Sequence, residues 1–143
     1  MTLIEIEDWL ATMPTKVPVL KEVVFGDEQE ILDRQNSRIK YPLMWVETAT
    51  PTFLTSPPAT RFRFALTFLQ NVASADNRRE RIARSEMLTA AEAVMLELER
   101  GQDEGRWQFE PGGNEGDALL KWSGDRDTGW RFEFSLTVGR DDC

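Results

Sequence analysis

The chain has 143 residues, the commonest size for one domain and enough to bury a core; its 41% hydrophobic content, with five Trp and eight Phe, excludes long intrinsic disorder. Seventeen Lys and Arg stand against 25 Asp and Glu, a net charge of −8 that a phosphate backbone repels, so nucleic acid is not expected as a partner. There is no histidine and only one cysteine, the last residue Cys143, which removes most of the groups from which active sites, disulfides and metal cages are built.

Thr2-Leu3-Ile4-Glu5 fits a capping box, and Leu3, Ile6, Trp9, Leu10 and Met13 follow at helical spacing until Pro14, which predicts a short amphipathic helix. The acids at Glu5, Glu7 and Asp8 do not suit a secretory signal, and no run approaches the ~18 apolar residues of a membrane span. Val17 to Phe25 is rich in β-branched residues and ends on Gly26-Asp27, so it reads as a first strand. Residues 27 to 38 are polar and read as a loop with a helical turn that pins Ile31 and Leu32.

Ile39 to Glu47 reads as a strand apolar on both faces beyond Pro42, which confines its first half to an edge or a strand entry, and this strand is expected to be the exposed edge of the sheet. Residues 48 to 60, with Pro51, Pro57 and Pro58, are expected to hold neither ladder nor helix and to form a surface loop or arm. Arg61 to Leu69 alternates apolar and polar residues, the period of a strand with one face on a core. Asp76 or Asn77 then caps a long helix whose residues Ile82, Leu88, Ala91, Val94, Met95 and Leu98 fall on one side and which closes at Arg100-Gly101. Trp107 and Phe109 alternate in a short strand, residues 112 to 116 form a glycine-rich turn, and Leu119 to Trp122 pairs with a last strand over 130–138.

Paired acids can run glycoside hydrolysis or bind a divalent cation, and the densest groups are Asp125-Arg126-Asp127 with Asp117, and Asp27-Glu28-Glu30. Neither has calcium-loop spacing, and acid runs in turns are ordinarily solvated. Gly112 to Gly116 lacks the lysine of a phosphate loop. Without an imidazole, no Ser, Thr or Lys nucleophile has its usual activator, and no activated-serine motif is present, so catalysis, cofactors and a small-molecule substrate are not expected. Arg78, Arg79 and Arg81, with Arg84, oppose the dipole at the start of the long helix and invite a counter-charge from this chain or a neighbour. Trp9, Trp45, Trp122 and Trp130 each sit in an apolar pattern; five tryptophans together favour a protein that assembles.

The order α-β-β-β-α-β-β-β predicts a single α+β domain over residues 1–143, with one antiparallel sheet, the long helix and the N-terminal helix on one face, and Arg61, Arg63, Thr67, Arg131, Glu133, Ser135 and Thr137 on the other. This order, the acidity, Tyr41-Pro42-Leu43-Met44-Trp45-Val46-Glu47 with a proline-rich segment after it, and the ending Gly129-Trp130-Arg131-Phe132-Glu133-Phe134 resemble the small tail-completion and tail-terminator proteins of tailed bacteriophages and prophages. The likeness runs over nearly the whole chain and includes no invariant motif, so no functional residue is carried over. It implies a structural protein at the head–tail junction, made in the host cytoplasm, that forms rings with itself and meets other tail or neck proteins in the virion. The expected subunit contacts are Pro51, Phe53, Leu54, Pro57 and Pro58 on the arm, with Arg78, Arg79 and Arg81 on the helix. The alternative is a small acidic secretion chaperone that binds an effector as a dimer; such chaperones usually finish on a helix, whereas this chain finishes on a strand. A carboxylate-based hydrolase is a third class.

Overall fold

The computed structural model describes residues 1–26, 40–72, 77–112, 117–122 and 127–139, with the backbone alone described at 117–122 and 127. Two short helices, α1 (Leu3–Ala11) and α2 (Met13–Lys16), precede β1 (Glu22–Phe25), β2 (Leu43–Val46), β3 (Thr50–Thr55) and β4 (Pro58–Asn71). A 27-residue helix, α3 (Asn77–Asp103), then leads to β5 (Gln108–Pro111), β6 (Asp117–Trp122) and β7 (Asp127–Gly139). Among the described residues no helix is long and apolar enough to cross a membrane.

The expected α+β architecture is present: a seven-stranded, mostly antiparallel sheet with helices on one face. β4 and β7 pair antiparallel over thirteen residues, from Ala59↔Gly139 to Asn71↔Asp127, and form its spine. Each outer flank of this spine is split between two strands. β2 pairs with Leu66–Leu69 of β4 and β3 with Pro58–Arg63, while β6 pairs with the start of β7 and β5 with Phe134–Thr137.

Three expectations change here. β1 pairs parallel with β2 and lies outside it, so the strand expected at the sheet edge is interior and all four of its residues are buried. A parallel pair needs a long crossover, and the segment from Gly26 to Pro42 supplies one; its residues 27–39, with the expected turn at Ile31 and Leu32, lie outside the described residues. β1 begins only at Glu22, because Pro18 fixes a turn in which the Leu20 amide donates to the Val17 carbonyl at 3.0 Å. Pro14 does not end the helical run: it occupies the first turn of α2, where its missing N–H has no helical partner to lose.

The capping box forms as expected, with the Glu5 amide donating to Thr2 Oγ1 and the Thr2 amide to Glu5 Oε2. α1 and α3 cover a core that includes Ile6, Leu10, Phe64, Phe68, Val94 and Phe134, in which the Phe64 and Phe134 rings stack with centroids 5.5 Å apart. The α3 stripe follows expectation at Ala91, Val94 and Leu98 and departs from it at Ile82 and Leu88. Ala83, Met87, Ala90, Ala91, Val94, Leu98 and Gly101 are buried, Met95 is half-buried, and Ile82 and Leu88 are exposed. Small residues decide this phase, since Ala and Gly let the helix axis approach the sheet and leave the bulkier aliphatics on the flanks. α3 also runs past Gly101, to Asp103. The Arg106 amide donates to the Gly101 carbonyl and the Gly105 amide to that of Gln102, a Schellman ending with Gly105 at φ 80°. Gly101 is needed for another reason: a Cβ there would run into the Trp107 indole, whose Nε1 donates to the Leu98 carbonyl.

Trp45 and Trp107 are buried and Trp9 and Trp130 half-buried, as an aromatic core requires; the Trp122 side chain lies outside what is described. On the sheet face away from the helices, Val24, Leu43, Trp45 and Leu69 form a second buried cluster with Tyr41 packed against it.

Candidate functional site

Residues 48 to 60 contain no charged side chain, in a chain of which 29% of residues are charged. They are not an unpaired arm. β3 and β4 form a hairpin in register to Thr55↔Pro58, with Ser56 and Pro57 as the two-residue turn. The ladder survives its prolines because each sits where a missing N–H is tolerated: Pro51 on an outer strand, Pro57 in the turn and Pro58 at a strand start. Every residue of β3 is exposed except half-buried Leu54.

Cross-strand partners project to the same face, and Pro51 pairs with core residue Phe62 while Phe53 pairs with Thr60. Pro51 and Phe53 therefore extend the helix-side face of the sheet past its helices, and Phe53 is 70% exposed. Five of the expected contact residues, Pro51, Phe53, Leu54, Pro57 and Pro58, are thus gathered on one projecting element. Arg78, Arg79 and Arg81 are not part of it. They are exposed on the first turns of α3, which follows the opposite end of fourteen-residue β4, roughly 45 Å away at the rise of an extended strand.

The face opposite the helices has its polar residues in phase, as the alternation of β4 and β7 requires: Arg61 opposes Thr137, Arg63 opposes Ser135, and Thr67 opposes Arg131. Arg131 donates from Nε to Glu47 Oε2 at 2.7 Å and from Nη1 to Glu133 Oε1 at 2.9 Å, and Arg63 Nη2 donates to Glu133 Oε2 at 2.6 Å. Glu47 follows β2 on one flank of β4 and Arg131 lies on β7 on the other, so their pair crosses β4 where Ala65 and Thr67 leave room. A shallow cleft of about 320 Å³ opens over this network. The hydrogen bond to Glu47 raises the Arg131 pKa against the opposing effect of burial. Hydrogen bonds from Arg63 and then Arg131 hold the Glu133 carboxyl below its ordinary value. With Arg61 near Glu110 at 3.9 Å, these charges neutralise one another. Sequence reasoning put Arg63, Arg131 and Glu133 on this face but missed Glu47 and Glu110, whose places depend on register between distant strands.

A groove of about 930 Å³ lies beside the hairpin, walled by Leu54, Pro57 and Ala59 on one side and by Arg106 and Trp107 on the other. Its floor is the end of β7, where Val138 and Gly139 run on past β5. Arg61 Nε and Thr137 Oγ1, also in its lining, are buried atoms without a hydrogen-bond partner among the described residues. Thr67 Oγ1, farther along the same sheet face, is a third.

The comparison with models of known protein families finds no match, and that with curated proteins finds none. The acidic groups at 27–30 and 125–127 fall outside the described residues or side chains, and among the described residues no cluster of three or more acids or cysteines is placed to hold a metal ion.

Proposed function

We propose that the protein is a non-enzymatic structural subunit that joins copies of itself into a ring, as tail-completion and tail-terminator proteins do at the tail end or head–tail junction of tailed phages and prophages. The observation that carries this reading is the β3–β4 hairpin: an exposed, uncharged element that presents Phe53 beyond the helices. Edge strands that must stay solitary ordinarily bear charges that prevent pairing, and this one has none. For a chain of net charge −8 it is also the segment by which two copies approach with least repulsion. Other tail or neck proteins complete the set of proposed partners.

Sedimentation and electron microscopy across a concentration series test the reading. The expected result is monomer when dilute and closed rings when concentrated. A monomer at every concentration overturns it, and a tight two-fold dimer at every concentration points to the secretion-chaperone alternative.

A further inference from the structure

At the hairpin end of the sheet the strand order is β3, β4, β7, so the hairpin's outer strand and the overrunning end of β7 lie on opposite flanks of β4. A contact between these two flanks is heterologous: each copy uses its β3 side on one neighbour and its β7 side on the next, the arrangement that closes a ring when the rotation permits. We propose that the groove over the end of β7 receives the β3–β4 hairpin of a second copy of this chain. The inference rests on the self-assembly reading above and adds to it the receiving surface.

Two observations favour this occupant. The first is charge. The hairpin is neutral from Thr48 to Thr60, and the groove adds Arg61 and Arg106, each already facing a carboxylate of its own chain, so seating the hairpin strips no unmatched charge of water. The second is an unpaired strand edge of the kind an incoming strand satisfies. β5 stops opposite Thr137 while β7 continues to Gly139, so among the described residues Val138 and Gly139 have a ladder partner on their β4 flank and none on the other. Phe53, exposed on the incoming hairpin, supplies the aromatic anchor that such contacts centre on.

The test uses two variants of the full chain, one defective on each surface. Phe53→Asp spoils the hairpin, and Arg106→Glu with Gln108→Glu places two carboxylates at the mouth of the groove; all three residues are exposed, and circular dichroism checks that the fold is kept. Each variant alone should associate at least about thirtyfold more weakly than the parent, as for loss of a hot-spot residue. Mixed one to one, they should form a heterodimer and nothing larger, because one intact hairpin then meets one intact groove. A groove variant that assembles like the parent, or a mixture that stays monomeric, overturns the hairpin-in-groove contact. A parent that never assembles overturns the underlying reading instead.

Discussion

β2 and β3 lie on the same flank of the same strand and have opposite fates. All four residues of β2 are buried, whereas β3 is exposed along its length apart from Leu54. Both are antiparallel partners of β4, so backbone pairing does not separate them. The difference is in what lies around them: β2 has β1 outside it, the helix-side core on one face and the Trp45 cluster on the other, while β3 lies past the helices. Pairing makes a strand, and only a second layer makes it core.

The largest test of this contrast lies on the spine. Phe134→Ala, or Phe64→Ala opposite it, should cost about 3 to 5 kcal/mol, because each removes a fully buried ring from a stacked pair. Urea unfolding reads this, and a midpoint equal to the parent's would break the assignment of faces. Met44→Ala in β2 should cost about 2 to 5 kcal/mol, whereas Phe53→Ala in β3 should stay within about 0.5 kcal/mol while weakening association. Equal losses at the two positions would erase the difference between the strands.

Gly101→Ala sharpens the comparison from the helix side. Its Cβ would meet a buried indole, so the cost should be about 1 to 3 kcal/mol, with Trp emission shifting to the red as Trp107 is displaced. Gly105→Ala adds a Cβ that touches nothing but must hold a positive φ, which costs about 1 kcal/mol without the spectral change.

The smallest effect belongs to the charged face. Partly exposed pairs such as Arg63–Glu133 contribute about 0 to 1 kcal/mol each, so this network neutralises the surface more than it stabilises the fold. Glu133 has a lowered folded pKa, so its contribution is present above the unfolded carboxylate value, near 4.3, and is lost as pH falls through the lower folded value. Glu133→Gln should therefore separate from the parent in urea midpoint at pH 7 and converge with it toward pH 3. A gap that widens in acid would contradict the network.

Local chemistry determined much of this protein. The capping box at Thr2 and Glu5 and the alternation of β4 and β7 are legible because each depends on residues close in sequence or on period alone. The period of α3 was legible too, and so was its buried side at Ala91, Val94 and Leu98, but not in its first half: Ile82 and Leu88 are more hydrophobic than Ala83 and Ala90, yet close approach to the sheet favours the small side chains. The tertiary structure alone decided the rest. That β1 would cap β2 in parallel, that Pro51 and Pro58 would find tolerant places in a hairpin, and that Glu47 would reach Arg131 across β4 all depend on which distant strands become neighbours. The groove beside the hairpin has the same origin: it exists because β5 stops two pairings short of where β7 and β4 continue, a mismatch of lengths between strands that no single segment records.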